Sequence, residues 1–317
     1  MSDNEGLKPL IQGIRDNIGK LIGVEGENVY VVRGTIELAI ESVFRNFFTT
    51  TSKILLVGRK ESLEYIEYIC DLCELKHDSI YVKEDILPLL GIIEALSNNH
   101  YDALYIPYTE MNSGVVYNIN VLKKSINNLL LIVNIGNSIL MNPIELDNEL
   151  IDIAIGNAEI FDSMYAFIGI SNKAKKLLGN NTVDYFINYA SYDEYIADNA
   201  RWINEYQELH DTLLAVNEFN IVEWYSYFTY LVSFMRTKIK TMGYHVLPDT
   251  NYSNAYIVVE VNDSEAICEE LYNKYQILVY AGYKDMHKSR IIIDMKDYQS
   301  VYSCLKLIRA LKELDLK

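Results

Sequence analysis

Few residues of this 317-residue chain fall in patterns that do covalent chemistry. The five histidines make no Ser-His-Asp or Cys-His spacing, and only His287, three positions before Arg290 in "KDMHKSRIIIDM", stands near a group that could hold an anion. Glu110, Glu159 and Asp162 sit in polar connections where an acid–base group would meet a substrate, although carboxylates in such places are usually just solvated. Cys70 and Cys73 share one face of the helical stretch "ESLEYIEYICDLCEL". A zinc site takes four ligands, however, and Cys268 and Cys304 are remote in sequence, so all four read as core thiols and no metal site is expected.

The elements that would position these groups follow from hydrophobic periodicity. "LKPLIQGIRDNIGKLIGV" puts Leu10, Ile11, Ile14, Ile18, Leu21 and Ile22 at helical spacing and predicts a leading helix over 7–22. A repeating alternation then begins. "NVYVV", "SKILLVG", "SIYV", "ALYIPY" and "LLLIVNIG" are short apolar strands separated by helical stretches or polar connections, and "IDIAIG" and "YAFIGIS" close the series. Strands alternating with helical crossovers predict a doubly wound, mostly parallel α/β domain over 1–204. Beyond 205 the pattern changes to one long helical stretch, then "AYIVVEV", "SEAICEELYNKY", "ILVYAG", "RIIIDM" and a final helix. That order predicts a smaller C-terminal α+β domain over 205–317 with a short antiparallel sheet.

Composition narrows the function classes. A net charge of −16 repels phosphate backbones, so no nucleic-acid partner is expected. The longest apolar runs are far too short for a bilayer span, and the polar start "MSDNEGLKPL" lacks a signal's apolar centre. A soluble, cytoplasmic protein without membrane contact is the expectation. The 26 tyrosines cluster in "VDYFINYASYDEYI" and "VEWYSYFTYLVSFM", which suit rings buried in the fold or in an extended interface.

Three segments in this order resemble the class V aminotransferases, fold type I pyridoxal-phosphate enzymes of the alanine–glyoxylate and serine–pyruvate branch. "VYVVRGTIELAIE" is similar to the family's strand, Gly-Thr turn and helix, "YIPYTEMNSGVVYNI" to its strand and Thr/Ser-Gly loop, and "QILVYAGYKDMHKSRIIIDM" to its C-terminal carboxylate-binding segment. Between the last two, "LLIVNIGNSILMNPIELDNELIDIAIGNAEIF" follows the family's aspartate strand, crossover and lysine strand. The resemblance implies that Gly34 and Thr35 face the cofactor phosphate, that Ser113 and Gly114 lie against its ring, and that Arg290 holds a substrate carboxylate. It also implies a symmetric dimer with its active sites at the subunit interface.

The chain departs from that pattern where the chemistry is done. Asn134 occupies the position of the acid that pairs with the pyridine nitrogen, and Ala158, Glu159 and Ile160 stand where the family carries Ser-Gln-Lys or a similar triplet. No lysine occurs between Lys124 and Lys173, and Lys173, Lys175 and Lys176 in "SNKAKKLLG" suit a solvated helix face. The ring-stacking aromatic is missing from its usual place after the second strand, where Arg59 to Ser62 come first and Tyr65 reaches back only with a slip of register. Arg33 would supplement a phosphate site or fill it. Because the cofactor needs both amine and acid, these losses imply a pseudoenzyme without catalytic residues. The expected role is a dimeric binding, scaffolding or regulatory subunit, as a homodimer or paired with an active class V paralogue, with a small carboxylate or phosphate ligand at Gly34, Thr35, Ser113, Gly114 and Arg290. The alternative is an aminotransferase or lyase that holds pyridoxal phosphate non-covalently.

Overall fold

A computed structural model describes residues 4–83, 86–122, 126, 129–136, 138–144, 146, 150–157, 163–178, 187–192, 203–284 and 288–314. The chain opens with helix α1 (Asn4–Ile22), whose apolar stripe of Leu10, Ile11, Ile14, Ile18 and Ile22 is buried as its spacing requires. It then runs through β1 (Val29–Arg33), α2 (Ile36–Phe47), β2 (Lys53–Gly58), α3 (Lys60–Leu72), β3 (Lys76–Tyr81), α4 (Leu89–Asn98) and β4 (Ala103–Pro107). A hairpin of β5 (Thr109–Glu110) and β6 (Val115–Val116) precedes β7 (Leu130–Gly136), β8 (Ile153–Asn157) and β9 (Tyr165–Ile170).

Among the described residues these strands form a seven-stranded sheet in the order β1-β9-β8-β7-β4-β2-β3. The pairs β3/β2, β2/β4, β4/β7 and β7/β8 are parallel, and β9 alone runs against both of its neighbours, β8 and β1. This is the mostly parallel α/β architecture expected from the alternation of strands and helices. Strands β4, β8 and β9 are buried at every position, the mark of a sheet covered on both faces.

The free edge at β1 is closed by tyrosine. The Tyr192 hydroxyl donates to the Val31 carbonyl (2.9 Å) and accepts from the Val31 amide (2.7 Å), and Tyr189 stacks on Tyr30 with ring centroids 4.1 Å apart. An edge strand's unpaired backbone groups are thereby satisfied within the chain. Part of the tyrosine excess is spent in this way, inside the fold.

The helical stretch beyond 203 is two helices, not one. It breaks at Asn220, whose side chain accepts from the Val222 amide and caps the second helix. The first, α5 (Ile203–Glu218), buries Tyr206, Leu209 and Leu213 in the core of the large sheet. The second, α6 (Ile221–Thr241), belongs from Phe228 onward to a separate core. That core covers an antiparallel sheet in the order β10-β11-β13-β12, from β10 (His245–Leu247), β11 (Tyr256–Glu260), β12 (Tyr280–Ala281) and β13 (Arg290–Asp294), with α7 (Ser264–Tyr275) and α8 (Val301–Leu314). No described helix is long and apolar enough to cross a membrane.

Candidate functional site

The chain passes from β2 outward to β3 and returns to β4 on the other side of β2, so the crossover direction reverses between β2 and β4. In open parallel sheets a ligand crevice forms outside the carboxyl ends of the strands at such a point. A cleft of about 460 Å³ lies there.

Its floor comes from strand ends: Tyr105 and Pro107 of β4, Asn134 to Gly136 of β7, and Asn157 of β8. One wall is built by the first turns of two helices, Ile36, Glu37 and Ile40 of α2, and Glu61, Ser62 and Tyr65 of α3. The opposite side is closed by Thr109 and Met111 of the hairpin and by Tyr256 and Tyr283 from the smaller sheet. Among the described lining residues there is no lysine, arginine or histidine.

Asn134 is held on both sides of its amide. Its Nδ2 donates to the Tyr105 hydroxyl (3.0 Å) and its Oδ1 accepts from the Gly136 amide (2.9 Å). Gly136 takes φ +47°, which folds the end of β7 back toward the Asn134 carbonyl group, a turn that glycine makes without a Cβ penalty. The Tyr105 phenol is fully enclosed, and burial drives it well above its ordinary range. Asn157, at the end of β8, is nine-tenths buried and has an amide oxygen with no hydrogen-bond partner among the described residues.

Glu37 and Glu61 occupy equivalent places. Each is the second residue of a helix, after Thr35 and Arg59 as N-caps, so both carboxylates stand where the helix dipole favours negative charge. The Tyr65 phenol beside them is pushed up, first by burial and then by the charges of Glu37 and Glu41. Tyr65 lines the cleft from the second turn of α3. The βα turn after β2 is a single residue, Arg59, which brings the helix itself to the rim.

Glu110 lies just behind this wall and is almost wholly buried. Both of its carboxylate oxygens accept from the Ser62 hydroxyl at 3.0 Å. Burial raises its pKa, opposed by the Ser62 hydrogen bond and by the nearby Arg59 charge. The other two acid–base candidates, Glu159 and Asp162, lie outside the described residues, as do Ala158, Ile160 and His287.

The residues expected to bind an anion are gathered less closely than the resemblance implies. Gly34 and Thr35 precede the first lining residue, Ile36, and the Gly34 amide is taken by the Met164 carbonyl at 3.0 Å. Arg33 points to Glu205, with Nε 3.1 Å from the carboxylate. Ser113 and Gly114 form the tip of the hairpin behind the cleft. Gly114 has φ +69°, and a Cβ there would meet the Tyr256 carbonyl at 3.2 Å. Arg290, at the start of β13, donates from Nη1 to the Asn112 carbonyl (2.7 Å) and places Nη2 3.6 Å from Glu260. Asn112 in turn accepts from the Tyr283 amide (2.8 Å). Arg290 therefore fixes the hairpin and, through Asn112, the loop that carries Tyr283 into the cleft.

The four cysteines are free, and burial raises each thiol, Cys73, Cys268 and Cys304 to about 11. No group of metal-ligating side chains is present among the described residues.

Comparison with known proteins gives a fold and no sequence relative. No family profile and no curated protein matches the sequence. Among solved structures, the chain is similar to ureidoglycine–glyoxylate aminotransferase from Bacillus subtilis, with a TM-score of 0.85 at 15% identity over 96% of this chain and 84% of that one. It is equally similar to alanine–glyoxylate aminotransferase from Nostoc sp. (0.85, 16% identity, 96% and 86%). Pyridoxamine–pyruvate aminotransferase from Mesorhizobium loti follows at 0.83 and 14% identity, over 96% and 83%. The chain thus has the fold of the class V aminotransferases, shared over nearly its whole length.

Proposed function

We propose that this chain is a catalytically inactive protein of the aminotransferase fold, whose switch-point cleft serves binding and not transamination. The observation that carries the reading is Asn134. It stands at the place the resemblance gives to the acid, it is neutral, and Tyr105 and Gly136 already hold both ends of its amide. An amide so fixed supplies no negative charge to a pyridinium nitrogen.

The remaining lining argues the same way against pyridoxal phosphate. Its phosphate would need bare helix amides or basic side chains, whereas Glu37 and Glu61 bring carboxylates to the two helix termini and no described lining residue is basic. In the sequence, no lysine lies between Lys124 and Lys173 to form a covalent bond. The residues do not fit the group, and no reaction step is derived through it.

Apolar side chains exposed along α3 and α4, among them Tyr68, Leu72, Leu90 and Ile93, support self-association or pairing with an active relative. The transferase reading draws its support from the neighbours of the fold, which are aminotransferases. Absorption spectroscopy separates the two. Addition of pyridoxal phosphate to the purified chain is expected to leave the free-cofactor spectrum unchanged and to give no turnover of alanine with glyoxylate; a shifted, saturable band with turnover would establish the transferase.

A further inference from the structure

The loop that carries Tyr283 is anchored on both sides of the cleft. It leaves the smaller sheet at β12, where the Gly282 amide donates to the Arg290 carbonyl at 2.7 Å, and two residues later Lys284 is ion-paired with Glu64 on α3. Glu64 lies between Glu61 and Tyr65, two residues of the opposite wall. Tyr283, between the anchors, lines the cleft and is still 50% exposed, the position of a residue at the rim. The loop therefore bridges the two walls at the mouth of the cleft.

Its two attachments differ in strength. On the inner side Asn112, itself buried, accepts from the Tyr283 amide at 2.8 Å, and Arg290 Nη1 clamps the Asn112 carbonyl at 2.7 Å. Hydrogen bonds to a buried group are costly to break without replacement. On the outer side the Lys284 and Glu64 side chains are 33% and 44% exposed, so water and salt compete with their ion pair and it contributes little. Lys284 also takes φ +51°, a left-handed conformation that residues other than glycine seldom adopt, so its place depends on contacts more than on backbone preference. Its ammonium lies 5.4 Å from the centroid of the Tyr283 ring, which ties the ring to the ion pair. A firm inner anchor and a weak outer one let the loop lift at one end.

We propose that Ala281–Lys284 is a strap over the cleft, hinged at Asn112 and latched by the Lys284–Glu64 ion pair, whose release admits a small molecule to the cleft interior. The proposal rests on the binding reading above and adds its control: entry responds to ionic strength through a single ion pair. The latch joins elements packed on separate cores, α3 through Leu63 and Ile66 on one and the β12 and β13 segment through Val279 and Ile292 on the other. Its release therefore unfolds neither core.

The test measures entry directly. Ser138 lines the cleft and is buried, so the intact chain carrying Ser138→Cys is reacted with 4,4′-dithiodipyridine, an uncharged disulfide whose released thiopyridone is read by absorbance. The unaltered chain, with its own free cysteines, is the blank. Lys284→Met and Glu64→Gln, each added to Ser138→Cys, are expected to raise the rate by about two- to fivefold, and both together no further, since either change cuts the same latch. Raising salt should quicken the Ser138→Cys chain toward that rate and leave the latch variants unchanged. Thermal melts check that each variant folds, and Ile36→Cys on the facing wall reports the same entry if Ser138→Cys does not. A rate unmoved by loss of either charge, additive effects of the two changes, or an equal salt response in the latch variants would each overturn the strap. These rates report entry alone, so the strap can fail while the inactive binding reading stands; a stoichiometric lysine adduct with pyridoxal phosphate would remove that reading whatever the rates do.

Discussion

Asn134 is the residue on which site and stability meet. Its amide joins the end of β7 to the hydroxyl of a buried tyrosine, so replacing it by leucine removes that partner from the Tyr105 hydroxyl. Asn134→Leu is expected to lower the unfolding free energy by about 1–3 kcal/mol. Urea denaturation of Asn134→Leu, Tyr105→Phe and the double variant checks it: the double change should cost less than the sum of the two, and strict additivity would mean that the hydrogen bond contributes nothing. Glu110 gives a second, pH-dependent expectation. Its pKa is raised in the folded state by burial, so the native protein binds this proton more tightly than the unfolded chain. The associated stability is full below the ordinary glutamate range and is lost as pH rises through the raised folded value. Glu110→Gln should therefore gain stability relative to the unaltered protein as pH is raised from the glutamate range toward neutrality, and a difference that stays constant over that window would contradict the assignment.

Two elements carry the link between edge, hairpin and cleft. At the sheet edge, Tyr192→Phe removes the hydroxyl that satisfies both the amide and the carbonyl of Val31, and is expected to cost about 1–3 kcal/mol in thermal or urea unfolding. At the hairpin tip, Gly114→Ala forces a Cβ into a left-handed turn and against the Tyr256 carbonyl, a strain of about 1–3 kcal/mol. Because that turn seats the hairpin on β11, amide hydrogen exchange should rise along Thr109–Glu110 and Val115–Val116; unchanged protection there would contradict the proposed link. The strand–helix alternation was plain in the sequence, because apolar runs of four to six residues separated by helical periodicity leave little choice of fold. The break at Asn220 was not, since the hydrophobic pattern runs on across it and only a capping side chain decides it. The lining of the cleft was legible in part. Asn134 could be found by spacing, but Glu37, Glu61 and Asn157 belong to strand ends and first helical turns whose convergence depends on strand order, and Arg290 is turned toward Asn112 by a hairpin contact distant in sequence.

Taken whole, the molecule has an aminotransferase-like fold, with the cleft lying between its larger and smaller sheets. The crevice sits where the fold puts it, between the carboxyl ends of parallel strands and the smaller sheet, and its described lining includes no lysine, arginine or histidine. A binding subunit of this kind should associate through the apolar faces of α3 and α4, and sedimentation equilibrium is expected to find a dimer; a monomer at every concentration would contradict that part of the account. The purified chain incubated with pyridoxal phosphate, reduced with borohydride and digested for peptide mass mapping is expected to carry no stoichiometric cofactor on any one lysine, only sparse modification spread over surface lysines. A single lysine labelled to completion, and protected when the cleft is filled, would show that the chain supplies the missing amine from elsewhere and that it is an enzyme after all.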